Sequence, residues 1–89
     1  MNGIITVLGK DRVGIIAKVC IYLSERGINI LDISQTIVHG YFNMIMIADF
    51  SLSAVLFEDA IKDLEALGGD MGVEITLRHE GVFNAMHTV

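Results

Sequence analysis

The sequence predicts an α+β fold, a ferredoxin-like βαββαβ sandwich with an antiparallel sheet in the order 4-1-3-2 and two helices on one face. Three observations carry this. The apolar period switches between two and about 3.6 in the order strand, helix, strand, strand, helix, strand. Glycines and short polar clusters fall at the switches. The first and third strands, which this order makes central, are apolar at successive positions, whereas the second and fourth carry polar residues at alternate positions, as edge strands do.

Each element follows from its own residues. Gly3–Leu8 is β-branched and apolar on both faces, suits a central strand, and ends at 9–12, Gly-Lys-Asp-Arg. Val13, Ile16, Ala17, Cys20 and Leu23 then recur on one helical face, with Asp11 as candidate N-cap and Gly27 as the left-handed stop. Ile28–Val38 reads as a long strand, with Leu31, Ile33 and Ile37 on one face and Asp32, Ser34 and Thr36 on the other. His39, Gly40 and Tyr41 reverse the chain into Phe42–Phe50, a second strand apolar on both faces. Ser51 and Ser53 are cap candidates for a second helix, which sets Phe57, Ile61, Leu64 and Met71 against Glu58, Lys62 and Glu65 and is finished by Gly68, Gly69 and Gly72. Val73, Ile75 and Leu77 alternate with Glu74, Thr76 and Arg78 in the last strand. The domain is expected over 1–80, with the tail 81–89 as a short docked turn or helix carrying Val82, Phe83 and Met86.

Composition narrows the function. Eighty-nine residues form one small domain, and 53% hydrophobic content with a mean hydropathy of +0.60 exceeds what so small an interior can hide. Burial against a second copy is the expected outlet, so a homodimer is favoured. A net charge of −5 repels phosphate backbones and argues against nucleic acid as a partner. Uninterrupted apolar stretches are no longer than Met44–Ala48, far short of the roughly 20 residues that span a bilayer, so no membrane partner is expected. One cysteine and no leader-like segment fit a cytoplasmic protein.

Two stretches are candidates for ligand binding. The segment Gly9–Gly14 joins a strand to a helix, where free amides and the helix dipole favour an anion, and Gly14 is about 1 kcal/mol worse than alanine inside a helix. Asn29 and Asp32, directly after the helix stop, offer a polar group and a carboxylate suited to an ammonium. Each also has a plainer account: a charged surface loop with a tolerated glycine, an asparagine completing a turn, an aspartate guarding a sheet edge. Spacing alone does not choose. His39, His79 and His87 lack metal-ligand spacing, and Cys20 falls on the expected buried face, so neither a metal site nor a nucleophile is expected. Residues 39–45 faintly echo the RNA-recognition motif, which shares this element order, but strand 1 has no aromatic and basic residues are scarce near Tyr41. RNA binding, or a purely structural interaction module, is the alternative class.

The stretches 7–14 (Val-Leu-Gly-Lys-Asp-Arg-Val-Gly), 15–19 (Ile-Ile-Ala-Lys-Val) and 26–35 (Arg-Gly-Ile-Asn-Ile-Leu-Asp-Ile-Ser-Gln) closely resemble ACT domains. The likeness is strongest over the first 50 residues and reaches about Glu80; the tail from His79 to His87 resembles that of small single-ACT bacterial proteins, and the chain is more distantly similar to the ACT modules of the glycine-cleavage repressor and of formyltetrahydrofolate deformylase. The resemblance implies a regulatory module without catalytic residues or cofactor, binding an amino-acid effector between the loop after strand 1 of one protomer and the start of strand 2 of its neighbour. That site maps onto Asp11, Arg12, Val13 and Gly14, and onto Asn29, Ile30, Leu31 and Asp32. ACT domains usually sit beside a catalytic or DNA-binding domain; this chain carries neither, so the effect would be exerted on a separate enzyme or regulator.

Overall fold

The computed structural model describes residues 1–10 and 14–82. Its elements are β1 (Asn2–Lys10), α1 (Ile15–Glu25), β2 (Asn29–Val38), β3 (Tyr41–Asp49), α2 (Phe57–Met71) and β4 (Glu74–His79). The sheet runs β2-β3-β1-β4, the predicted order read from its other edge. Every neighbouring pair is antiparallel, so β1 and β2 point the same way.

Alternation along the strands builds the core. Ile5 and Val7 of β1, Met44 and Met46 of β3, and Ile75 and Leu77 of β4 are buried on one face, where they meet Ile15, Val19, Leu23, Ala60 and Leu64 of the helices. Burying each large side chain contributes roughly 1.5–3 kcal/mol. The opposite face presents Ile4, Thr6 and Leu8 of β1 beside Asn43, Ile45 and Ile47 of β3, and no described helix packs on it. The two central strands are therefore apolar on both faces but covered by helices on one.

The ends of the helices differ in part from expectation. α1 closes as foreseen: Gly27 takes φ 71°, its amide donates to Ser24 and that of Ile28 to Leu23, the double bond of a left-handed helix stop. At its start the cap position is Gly14, with no side-chain cap bond, and the candidate cap Asp11 lies outside the described residues. The buried face is Ile15, Val19, Tyr22 and Leu23, with Ile16 and Cys20 at its margin and Ala17 exposed. This corrects the predicted face by a fraction of a turn. The run 13–23 is apolar on nearly all sides, so its period fixes a helix but not its rotation; Ile15, Val19 and Leu23 are buried, and Tyr22 follows them inward with its hydroxyl bonded to Asp63.

α2 is capped by neither serine. It begins at Phe57 behind Leu56, whereas the Ser51 amide and hydroxyl bond to Asp49 and the Ser53 hydroxyl bridges to Val55, holding a turn instead. Gly68 does not fray the helix but lies buried within it, where a Cβ would stand 2.8 Å from the carbonyl oxygen of Val73. Close approach of α2 to the entry of β4 requires a glycine there. The hairpin β2–β3 turns on His39 and Gly40, both at positive φ, as a two-residue reversal requires. Residues 80–82 turn helical after β4, and the rest of the expected tail element lies outside the described residues.

Candidate functional site

The two halves of the expected site stand at opposite ends of the sheet. Asn29 pairs with Asp49, which pairs with Asn2, so β2 begins beside the start of β1. Lys10, the last residue of β1 before the candidate loop, pairs with Tyr41, which pairs with Val38 at the far end of β2. Nine residues of strand at about 3.3 Å each separate those ends by about 30 Å. Within one protomer, Gly14 and Asn29 cannot touch the same small molecule. Of the loop half, Asp11, Arg12 and Val13 lie outside the described residues; Gly14 is exposed.

Gly14 is informative for a reason the sequence did not show. Its φ is +90°, and a Cβ placed on it would meet nothing within 4 Å among the described residues. Backbone conformation, not crowding, calls for glycine here. Its carbonyl accepts the first helical bond, from Lys18. The amides of the first turn after it have no side-chain cap among the described residues and no acidic neighbour in that turn. An exposed helix start whose cap residue is a glycine favours a carboxylate.

The strand half is open to solvent. Asn29 and Asp32 are exposed, Ile30 is half-buried, and Leu31 sits at a bulge where the pairing shifts between Ile30 and Asp32. The Asp32 carboxylate accepts the Ile33 amide at 2.9 Å, leaving oxygen lone pairs outward. Along the rest of β2 both faces are exposed: Ile33 at 41% and Ile37 at 62% on the helix side, with Val38 beyond. α1 therefore leaves the outer part of β2 bare. A ten-residue edge strand with no proline and exposed Leu31, Ile33 and Ile37 carries the bulge beside Asp32, and that charge, as blocks to strand addition, both near its start.

A cluster that sequence reasoning missed lies beside the strand half. The Tyr22 hydroxyl donates to Asp63 at 2.6 Å, and the Arg26 guanidinium stacks 3.9 Å over the Tyr22 ring while donating to the Tyr22 carbonyl. Burial, then the bond to Asp63, push the Tyr22 phenol above its ordinary range, with Arg26 pulling the other way. These side chains line both walls of an open groove of about 400 Å³ between α1 and α2, together with Lys18, Leu67 and Asp70. A second depression of about 450 Å³ lies between α2 and β4, against Leu8, Val73 and Glu74. Neither includes Gly14 or 29–32. The i, i+4 spacing of Tyr22 and Arg26 was legible; the reach to Asp63 across 41 residues was not. His39 stands at the hairpin tip, His79 at the end of β4 near Phe57, and Cys20 is half-buried; His87 is outside the described residues.

The comparisons agree with this architecture. The family model described as ACT domain matches residues 3–78. A UPF0237 protein of Bifidobacterium longum is 52% identical over 88 residues, covering 99% of this chain and 98% of its own. The structure of an ACT domain protein from Streptococcus pneumoniae superposes with a TM-score of 0.81 at 39% identity and covers 98% of both chains. The regulatory subunit of aspartate kinase from Thermus thermophilus, in a ligand-free form, is 30% identical with a TM-score of 0.66, matched over 89% of this chain and 51% of that one. A formyltetrahydrofolate deformylase from Pseudomonas syringae, at 18% identity and a TM-score of 0.78 over 86% of this chain and 26% of its own, shares the fold. No described helix is long and apolar enough to cross a membrane. Element order, sheet order and a match over 3–78 converge on one assignment: the chain belongs to the ACT domain family.

Proposed function

We propose that this protein is a regulatory module that binds an amino acid between the protomers of a homodimer, acts on a separate enzyme or regulator, and catalyses no reaction itself. The observation that carries the reading is the 30 Å separation, about nine strand residues, between the two halves of the site. When the β2 edges of two copies pair antiparallel about a two-fold axis, the partner's 29–32 comes to the Val38 end of β2. That is the end at which Lys10 and Gly14 stand. One pairing thus completes two sites by symmetry, and neither site exists without it.

The chemistry of the halves suits a zwitterion. The uncapped start of α1 at Gly14, with 11–13 before it, takes the carboxylate; the partner's Asp32 and Asn29 take the ammonium. Pairing also covers Ile33 and Ile37, which α1 of the same chain leaves bare. The kinship to a regulatory subunit of aspartate kinase supports a regulatory role. The protein works in the cytoplasm, where a lone, half-buried Cys20 stays reduced.

Thermal-shift screening against the twenty amino acids tests this, because a ligand at 100 times its Kd stabilises the folded state by about 2.7 kcal/mol. The expected result is a saturable rise in Tm with one or a few amino acids, reduced by Asn29→Ala. A Tm that none of the twenty moves would sink the amino-acid reading. Retention of single-stranded RNA on filters at low salt would instead favour a nucleic-acid module; with a net charge of −5, none is expected.

A further inference from the structure

The helix-free face of the sheet is covered unevenly. Along β1 its residues are Asn2, Ile4, Thr6, Leu8 and Lys10, paired in that order with Asp49, Ile47, Ile45, Asn43 and Tyr41 of β3. Ile4 is only 5% exposed, whereas Ile45 is 39% and Leu8 48% exposed. On both strands the cover grows toward Asn2 and Asp49, which are half-buried although they end their strands, while Lys10 and Tyr41 at the other end are exposed. Flanking residues do not account for this. Side chains stand roughly perpendicular to a sheet, so Ile47 and Arg78 screen the sides of Ile4, as Asn43 and Glu74 screen those of Leu8, and leave its tip open. Something lies over Ile4.

The described parts of the chain do not supply it. Both helices pack on the other face, against Ile5 and Val7. The connection 50–56 is held on that same helix side, its Ala54 amide donating to the Arg26 carbonyl. The hairpin turn at His39 and Gly40 stands at the Lys10 end of the sheet. Segment 11–13 leaves β1 at that end too, six residues beyond Ile4 and so about 20 Å from it. β4, by contrast, ends at His79 opposite Gly3, so the chain runs out beside Ile4, and 80–82 turn helical there.

We propose that residues 83–89 are the cover: an intramolecular strap that crosses the helix-free face from β4 and seats Phe83 and Met86 on Ile4 and Ile47. The length fits. Seven residues continued as helix advance about 10 Å, or two strand spacings of about 4.8 Å, which is the distance from β4 past β1 to β3. The pattern fits as well, since Phe83 and Met86 share one side of such a helix and Asn84 and Thr88 the other. Because Ile47 pairs with Asp32, the strap closes the end of the face at which β2 begins, and it leaves Leu8 and Ile45 partly open. A partner protein meets Ile4 and Ile47 only when the strap is displaced. The strap stands whether or not an amino acid binds.

Thiol labelling under native conditions tests it, with Ile4→Cys or Leu8→Cys as the sole thiol on a Cys20→Ser background. Position 4 should label slowly in the full chain and position 8 quickly. Ending the chain at Val82, or Phe83→Asp in the full chain, should speed labelling at position 4 on the order of tenfold or more and leave position 8 unchanged, because labelling follows access. Equal rates at position 4 in all three chains would show that Ile47 and Arg78 cover Ile4 unaided, and would overturn the strap. So would a rate at position 4 in the full chain that falls as protein concentration rises, since a second copy would then be the cover. The native Cys20, half-buried on the helix side, controls for the fold. If truncation and Phe83→Asp speed its labelling as much as that of position 4, the tail supports the domain as a whole and the strap is overturned.

Discussion

The Tyr22 hydroxyl reaches across the helical layer to Asp63 and joins α1 to α2 at 2.6 Å. Arg26 roofs the same ring, and its own carbonyl accepts the Ala54 amide at 2.8 Å, so the end of α1, the start of α2 and the approach to β2 are tied at one point. Tyr22→Phe keeps the ring under Arg26 and removes the bond. A loss of about 1 kcal/mol is expected, modest because the exposed Asp63 can turn to water. Urea titration measures it.

The same pair sets an alkaline limit. The folded-state pKa of Tyr22 is raised, by burial first and Asp63 second, so the folded state holds this proton more tightly than the unfolded chain does. Its contribution is complete below the unfolded value of about 10 and is lost as pH rises above that value toward the folded one. Wild-type stability should therefore fall more steeply above pH 10 than that of Tyr22→Phe. Parallel curves in that window would remove the linkage.

Two glycines should fail for opposite reasons. At Gly14 a side chain has room but the wrong φ, so Gly14→Ala should destabilise by about 1 kcal/mol and Gly14→Asn by less, asparagine tolerating the left-handed region. At Gly68 a Cβ would sit 2.8 Å from the Val73 oxygen and 3.0 Å from Ile75, between α2 and β4. Gly68→Ala should destabilise by about 2 kcal/mol or more through backbone displacement, and asparagine should not relieve it. Chemical denaturation of the three variants separates conformation from crowding.

The order of elements was legible because the apolar period marks each one, and in β1, β3 and β4 it also reports burial, which it does not in the exposed β2. Ile75 and Leu77 are buried and Glu74 and Arg78 exposed, as a period of two requires. What the sequence could not carry were relations across distance. The rotation of α1 depends on which of its apolar sides meets the sheet and on the Tyr22–Asp63 bond, and the role of Gly68 depends on where β4 enters. Ser51 and Ser53 are ordinary cap residues by type, yet Asp49 and Val55 claim them first. The resemblance named both halves of the expected site, and the positive φ that calls for glycine at position 14 is a backbone property its helix propensity does not report. That the halves stand at opposite ends of the sheet follows from register, which local pattern does not contain.

Asp49 should govern part of the acid limb. The Ser51 hydroxyl and amide donate to its carboxylate, with the Met1 ammonium 4.0 Å away, and together they hold its pKa below the usual carboxylate value. Because the folded pKa is the lower one, the contribution is present above the unfolded value near 3.9 and is lost as pH falls through the folded value. Asp49→Asn should flatten that limb in an acid titration followed by circular dichroism, with little change at neutral pH.

The edge of β2 offers the most direct test of assembly. Ile37 is 62% exposed on the helix side of the strand, so in a lone protomer its replacement by lysine touches no buried contact and should change stability by no more than about 0.5 kcal/mol. In an edge-paired dimer the same change places a charge where α1 of the partner would cover it. Edge lysines are a recurrent block to strand pairing, and each isoleucine so covered contributes about 1.5–3 kcal/mol, twice per dimer. Ile37→Lys should therefore raise the dissociation constant at least a hundredfold, while Glu58→Lys on the exposed side of α2 leaves it unchanged. Sedimentation velocity across a dilution series reads both. The Tm should follow: dependent on protein concentration in the wild type, independent of it in Ile37→Lys, since linkage to association is what makes it concentration-dependent. Equal masses and equal Tm values for the two variants would show that β2 stays an open edge.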